Sequence, residues 1–362
     1  MSSRRAIAAP GVAASCYFRT STVAPERKAL VQITERCNLH CAHCFVSAIR
    51  EGIDIPREKI RDLVLPRLAE ACVRRLTLTG GEPFAHPDVV DIVRDARALE
   101  MTVTLCTNAT LIDDGAIDAF ANLGGIRLNI SLDGFSRESH GRFRGSPGSF
   151  EVTKRTLRSI GERGLLKGVL VTPNRLAPLE EYEELCRYAK VCGAEYVLLN
   201  PLSPMGRGVR GLRRLSASDE FMRALSERVA AFEGDLDIVR IRFPNDERPL
   251  SGCEAGTIVY VFANGDLTVC PYLVFAARTP QSRHQPGEFI VGNIFEHADI
   301  AARLDRYRLY DRARVEDRTC GSCAMSAGCG RGCPAAVIAA GGQLGERDRE
   351  QCPVPDAAQV AA

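Results

Sequence analysis

Six short apolar runs alternating with stretches of helical periodicity constrain this chain more than any other feature. The runs lie near Leu30–Thr34, Arg75–Thr79, Val103–Cys106, Ile126–Leu132, Lys167–Thr172 and Tyr196–Asn200. The helical stretches between them lie near Arg57–Cys72, Pro87–Glu100, Asp113–Asn122, Phe150–Arg163 and Pro178–Cys192. Neighbouring strands joined through helices are parallel, because a parallel pair needs a crossover connection. The pattern predicts an α/β fold, an open or closed barrel whose chemistry collects at the C-terminal ends of its strands. With 362 residues, 45% of them apolar, there is material for one large domain and a smaller one.

After a helical stretch near Ser218–Phe232 the pattern changes. Ile258–Phe262 and Leu267–Cys270 flank Ala263-Asn264-Gly265-Asp266, which predicts a β-hairpin. From Cys320 onward Gly and Cys replace the apolar periodicity, so something other than a hydrophobic core must hold that region. The expected division is a flexible extension over 1–27, an α/β core over 28–215, a linker helix region over 216–252, a small cysteine-rich domain over 253–353 and a tail over 354–362. Lys and Arg number 47 against 45 Asp and Glu, so no global basic field argues for nucleic acid or an anionic membrane as partner. No apolar run of signal-peptide length lies near the N-terminus. Arg4-Arg5 and the lipobox-like Ala13-Ala14-Ser15-Cys16 are separated by Pro10-Gly11, and a cytoplasmic location is expected. In a reducing cytosol, fifteen cysteines are metal ligands or catalytic groups more often than disulfides.

Three of those cysteines stand in Cys37-Asn38-Leu39-His40-Cys41-Ala42-His43-Cys44, on the loop after the first predicted strand. Three thiolates fill three corners of a cubane and leave one iron open, whereas a structural zinc site wants four ligands. His40 or His43 completing a zinc site is the competing use of the same thiols. After the second strand come Gly80-Gly81-Glu82-Pro83. Glycines at a strand end admit close backbone approach, and a carboxylate there accepts from an ammonium group. Together the C-x3-C-x2-C triplet and the Gly-Gly-Glu-Pro stretch resemble the radical S-adenosylmethionine (SAM) family. The resemblance implies that Cys37, Cys41 and Cys44 hold a [4Fe–4S] cluster in a partial (β/α)6 barrel and that residues 80–83 bind the SAM amino group. Asn108, Ser131 and Asp133 at further strand ends suit ribose hydroxyls, and Arg144 suits the SAM carboxylate.

The remaining motif is Cys253, Gly265, Cys270, then Cys320, Cys323, Cys329 and Cys333 at C-x2-C-x5-C-x3-C spacing, then Cys352. It resembles the SPASM domain that follows the core in a subfamily of radical SAM enzymes. A zinc ribbon accounts for four of these thiols and not for seven. The resemblance implies two auxiliary [4Fe–4S] clusters, an inner one on Cys253, Cys270 and Cys333 and an outer one on Cys320, Cys323, Cys329 and Cys352. Seven thiolates cannot fill eight sites, so one iron of the inner cluster is expected to be open to substrate, water or a non-cysteine ligand. Cys16, Cys72, Cys106, Cys186 and Cys192 are left over and read as buried core thiols.

The family's chemistry is reductive cleavage of SAM followed by hydrogen abstraction, with an auxiliary cluster able to accept an electron from the substrate radical. Members include peptide maturases, sulfatase-maturing enzymes, and dehydrogenases or epimerases of sugars and aminocyclitols. Pro271 follows Cys270 where the sulfatase-maturing group has Asp, and no cysteine lies between Cys253 and Cys270, which disfavours that group. Cys329-Gly330-Arg331-Gly332-Cys333-Pro334-Ala335 and Gly292-Asn293-Ile294 resemble segments of maturases of ribosomally made peptides, so a peptide substrate is expected. The alternatives are a sugar or aminocyclitol substrate and, in another class, an iron–sulfur electron-transfer protein. The stretch before the first strand is short of the roughly 40 residues a small domain needs, so a leader peptide would need a separate binding protein or another surface. A low-potential donor such as flavodoxin or ferredoxin is expected to reduce the first cluster. The basic stretch Arg207–Arg214 reads as a docking patch or a solvated loop.

Overall fold

The computed structural model describes residues 11–18, 22, 24–313, 315 and 317–355. Among the described residues ten strands form one sheet: β1 (Arg27–Thr34), β2 (Val73–Gly80), β3 (Thr102–Thr107), β4 (Ile126–Ser131), β5 (Leu166–Val171), β6 (Tyr196–Leu199), β7 (Asp237–Arg240), β8 (Ile258–Val261), β9 (Asp266–Thr268) and β10 (Ile290–Asn293). Their order is β10-β9-β8-β1-β2-β3-β4-β5-β6-β7. Pairing is parallel from β8 through β1 to β7, and antiparallel along β8, β9 and β10. The α/β class and the six predicted strands are present.

Parallel pairing sets residues of like parity in rows across the sheet, so one face is an apolar row and the other a polar one. Val31, Leu78, Leu105 and Leu128 align on the apolar face, continued by Ile130, Val169 and Val197. All of these are essentially inaccessible, packed with Ile92 and Val93 of helix α2 (Val89–Ala98), Phe120 of α3 (Asp114–Leu123), Leu157 of α4 (Ser149–Glu162) and Leu185 of α5 (Leu179–Val191). The first crossover helix, α1, runs from Arg57–Lys59 through a π turn at Ile60–Val64 into Leu65–Glu70. On the opposite face Cys106, Asn129, Gly168 and Tyr196 stand in one row. There the Tyr196 hydroxyl donates to Asn129 Oδ1 at 2.7 Å and Asn129 Nδ2 donates to Cys106 Sγ at 3.8 Å. A polar row lining the inside of the sheet suits a cavity that receives polar ligands and not a filled apolar core.

Three features differ from the expectations. The stretch 216–252 contains a further crossover, helix Asp219–Ala230 into β7, so the parallel sheet runs one strand past the predicted six. The predicted hairpin forms, with Tyr260 opposite Thr268, but its first strand also pairs with β1 over Lys28–Val31. The cysteine-rich region is thereby continuous with the core sheet. The third difference is the expected flexible extension, which is docked where it is described. Ala13 N donates to Pro249 O and Ser251 N donates to Ala13 O, both at 2.9 Å, while Ser15, Cys16 and Tyr17 are buried. Pro249 O and Ser251 N thereby gain backbone partners, which a buried segment needs. Arg4 and Arg5 lie outside the described residues. Among the described residues no helix is long and apolar enough to cross a membrane.

Candidate active site

The loop carrying Cys37, Cys41 and Cys44 leaves the C-terminal end of β1 and is strapped down from three sides. Cys37 N donates to Ile49 O at 2.8 Å, and Ala42 N donates to Phe143 O at 3.0 Å. From beyond β6, Arg207 Nε donates to Cys41 O at 2.9 Å and Arg207 Nη1 to Ala48 O at 2.6 Å, while Arg207 N donates to Cys44 O at 3.0 Å. Arg207 therefore belongs to the loop's support. Arg210, Arg213 and Arg214 of the same basic stretch remain exposed on the helix Gly208–Leu215. Cys37 and Cys41 are buried and Cys44 is half-buried. Burial pushes the Cys37 thiol up to about 12 and raises that of Cys41, so a bound cation must displace their protons to gain thiolate ligands.

Gly80 and Gly81 end β2 pressed against the exit of β1. A Cβ on Gly81 would stand 2.4 Å from Arg36 O, a distance no side chain tolerates. Glu82 is buried, and its carboxylate turns inward to tie two strand ends together. Oε1 accepts from Thr107 Oγ1 at 2.6 Å and Phe84 N at 3.2 Å, and Oε2 accepts from Asn108 N at 2.7 Å. Burial raises its carboxyl despite these bonds. An ionised carboxylate has about four acceptor positions, so one is left for a ligand's ammonium group. Pro83 opens the short turn that follows. Asn108 Nδ2 donates to Asn38 Oδ1 at 3.1 Å and so joins the end of β3 to the cysteine loop.

Arg144 and Asp133 form a buried ion pair, Arg144 Nε to Asp133 Oδ2 at 2.6 Å. Burial alone would raise the Asp133 carboxyl, but Arg144, His43, His140 and the Thr172 N–H bring it below the ordinary carboxylate range. Arg144 Nη1 also lies 3.9 Å from Cys41 Sγ. The guanidinium expected to receive the SAM carboxylate is thus engaged with Asp133 and a cysteine of the triplet. His43 stacks flat on Phe143, with ring centroids 4.3 Å apart, and its Nε2 is 4.0 Å from Asp133 Oδ2. Burial lowers its pKa to about 4, which keeps the ring neutral. His40 is exposed. Among the described residues no three His, Cys, Asp or Glu side chains converge on a point that a single metal ion would occupy. A cubane spreads its thiolates over separate irons and needs no such convergence. Ser131 ends β4 half-buried at the same sheet edge. Sequence reasoning missed Phe143, His140, whose Nδ1 accepts from Asp133 N at 3.1 Å, Asn174, whose Nδ2 donates to Asp133 O at 2.8 Å, and the role of Arg207, none of which stands in a motif.

The second cysteine set falls into two groups. Cys320, Cys323, Cys329 and Cys352 line one cavity with Arg331, Arg347 and Leu250. Cys270 and Cys333 influence each other electrostatically, and burial pushes the Cys270 thiol up to about 12. Cys253 and Cys333 both lie near the Tyr310 hydroxyl. The Cys329–Cys333 segment runs backbone to backbone along 250–252, Gly330 N donating to Leu250 O at 2.8 Å. A Cβ on Gly330 would stand 2.1 Å from Gly252 Cα. Asn293 Nδ2 donates to Asn264 O at 3.1 Å and Ile294 N to Gly265 O at 2.7 Å. The two segments that suggested a peptide substrate are thus packing devices of this region.

Residues 31–191 match the Radical SAM superfamily. Across 88% of its length the chain is 27% identical to the AdoMet-dependent heme synthase of Methanosarcina barkeri, covering 93% of that protein. It is 25% identical to the mycofactocin maturase MftC of Mycobacterium tuberculosis, covering 88% of this chain and 81% of MftC. Its fold is similar to that of Streptococcus suis SuiB bound to S-adenosylmethionine, with a TM-score of 0.71 at 19% identity over 90% of this chain and 77% of SuiB. SuiB is also known in a crystal structure with its precursor peptide SuiA.

Proposed function

We propose that this chain is a radical SAM enzyme that works with three [4Fe–4S] clusters to modify a ribosomally made peptide. The observation that carries the catalytic reading is the meeting of Cys37, Cys41 and Cys44 with Glu82, Asn108, Asp133 and Arg144 at one end of a parallel sheet. Bound there, a cluster and SAM supply a 5′-deoxyadenosyl radical that takes a hydrogen atom from the substrate. The residues around it position and shield. Arg144 sets a fixed positive charge beside Cys41, which favours its thiolate over its thiol. Glu82 would receive the SAM ammonium group at its remaining acceptor position, and Asn108 and Ser131 would help hold the ribose. The neutral His43 ring, packed on Phe143, closes the loop's buried side against water.

Cys253, Cys270 and Cys333 would hold the inner auxiliary cluster and Cys320, Cys323, Cys329 and Cys352 the outer one, as electron acceptors. A low-potential flavodoxin- or ferredoxin-like donor fits the reduction step, and a separate leader-binding protein fits peptide delivery. The peptide substrate is supported by the likeness to MftC, a maturase, across most of both chains. A small-molecule substrate is the second reading, favoured by the equally extensive likeness to a heme synthase. Incubating reconstituted enzyme, SAM and reductant with a short peptide encoded beside its gene should give a product lighter by about 2 mass units, with one 5′-deoxyadenosine per product. An unchanged peptide, alongside loss of two hydrogens from an aminocyclitol, nucleotide sugar or tetrapyrrole, would replace the first reading by the second. Reduced enzyme that leaves SAM intact would leave only electron transfer.

A further inference from the structure

Seven thiolates leave one of eight cluster corners without a protein ligand, and the fold brings an eighth thiol to that place. We infer that Cys16 is the fourth protein ligand of the inner auxiliary cluster, beside Cys253, Cys270 and Cys333. The inference rests on the proposed reading of those three as cluster ligands.

Cys16 is 3% exposed. Its Sγ lies 3.4 Å from Gly252 O and 3.6 Å from Gly332 O, carbonyls of the residues just before Cys253 and Cys333. Its thiol is also a hydrogen-bonding neighbour of the Cys333 thiol. Cys333 acts electrostatically on Cys270 in turn, and Cys253, Cys16 and Cys333 all act on the Tyr310 hydroxyl, which also hydrogen-bonds the Cys253 backbone. Thiols from four separate stretches of chain therefore share one neighbourhood. The other leftover cysteines do not: Cys72 is exposed, Cys106 accepts from Asn129 inside the sheet, and Cys186 and Cys192 lie in and at the end of α5.

The placement of Cys16 is built in. Ser15 Oγ and Ser251 Oγ hydrogen-bond at 2.9 Å, and Tyr17 stacks on Tyr272 with centroids 5.1 Å apart. A single buried ion pair fixes Cys16 and Cys333 together. Arg242 Nη1 donates to Ser15 O at 2.9 Å and pairs with Asp348, whose Oδ2 accepts from Cys333 N at 3.2 Å. Arg242 also supplies a cation close to the developing negative charge of the site. Ligation exchanges the Cys16 S–H bond for an S–Fe bond and releases the proton to solvent, with no change in oxidation state. With four cysteines the inner cluster has no open iron, so it would exchange electrons and bind no substrate.

The test uses full-length protein with Cys37, Cys41 and Cys44 replaced by Ala, reconstituted anaerobically so that only auxiliary clusters form, about 8 irons per chain. The reduced protein is mixed with carbon-13-labelled cyanide and examined for carbon coupling to a cluster by electron–nuclear double resonance. No coupling is expected while Cys16 is present, and clear coupling to one cluster after Cys16→Ala. Mild ferricyanide should likewise produce a [3Fe–4S] signal only in the Cys16→Ala protein, and Cys186→Ala should behave as the parent. Cyanide coupling in the parent, or a Cys16→Ala spectrum identical to the parent's, would overturn the assignment. Should Cys16→Ala fail to fold, the parent measurement alone still decides, since an open iron there refutes a fourth cysteine. Iron near zero in the parent would be a different failure, that of the auxiliary-cluster reading beneath.

Discussion

Replacing Arg144 by Met should destabilise the protein by about 3–5 kcal/mol before any SAM is added, because removing one partner strands a buried charge. The structure supplies the reason. Arg144 Nε stands 2.6 Å from Asp133 Oδ2, and the Asp133 and Arg144 side chains are 1% and 10% exposed. Two unit charges about 4 Å apart attract by about 4 kcal/mol at an effective dielectric near 20, in line with that range. In the native protein Arg144 holds the Asp133 carboxyl down against a larger burial effect. A carboxyl whose folded value is depressed stabilises above its unfolded value, about 3.9, and loses that stabilisation as pH falls through the folded value. In Arg144→Met burial is left without its main opponent, so Asp133 titrates above its unfolded value. The penalty should then be greatest near neutral pH and shrink as the pH drops and Asp133 takes up a proton. Urea unfolding of SAM-free, equally reconstituted protein across pH 4 to 8 measures this. Arg144→Met/Asp133→Asn should lie closer to the parent than the sum of the two single changes. Stability unchanged within about 1 kcal/mol, joined to a tenfold or greater rise in KM for SAM, would refute the argument and return Arg144 to the SAM carboxylate.

Three further outcomes follow from the same geometry. Reconstituted parent protein should hold about 12 irons, and the combined Cys37, Cys41 and Cys44→Ala change should lower this to about 8 and abolish 5′-deoxyadenosine formation, as iron analysis and chromatography would show. Cys270→Ala should keep SAM cleavage while blocking substrate oxidation; full product from a folded variant lacking the inner cluster would contradict an acceptor role. Gly330→Ala forces a methyl group into the backbone of Gly252, 2.1 Å away. A loss of more than about 1–3 kcal/mol is expected, together with reduced auxiliary iron, and a neutral substitution would show that the 250–252 contact gives way easily.

The strands of the barrel were legible because β1 to β6 are apolar runs bounded by polar turns and spaced by amphipathic helices. β7 was not: Asp237-Ile238-Val239-Arg240 is four residues with charged ends, too short to show a period. Nothing local in Ile258–Val261 announces that it pairs with Lys28–Val31, since sheet partners far apart in sequence leave no mark on either segment. The cysteine groups were readable through their resemblance to a family motif, because Cys320, Cys323, Cys329 and Cys333 stand in one compact stretch. Cys16 carries no such spacing and reads as one more apolar thiol; only the fold sets it against Gly252 and Gly332. For Glu82 and Arg144 the sequence indicated the sheet end correctly. Their partners, Thr107 with Asn108 and Asp133 with Cys41, depend on side-chain directions that no motif encodes.

The docking of residues 13–17 also sets an order of assembly. Ser15 meets Ser251 across 236 positions, and Cys16 meets Gly332 across 316. A chain emerges from the ribosome N-terminus first, so Cys16 must wait through the synthesis of nearly every other element before its neighbours exist. Contacts of such long range are closed late, after the parallel sheet has already brought the two regions near each other. The inner site can therefore be completed only once Cys333 has been made, after every strand of the sheet. Iron delivered there would clamp an early and a late portion of the chain together, and a protein deprived of it would begin to come apart along that seam.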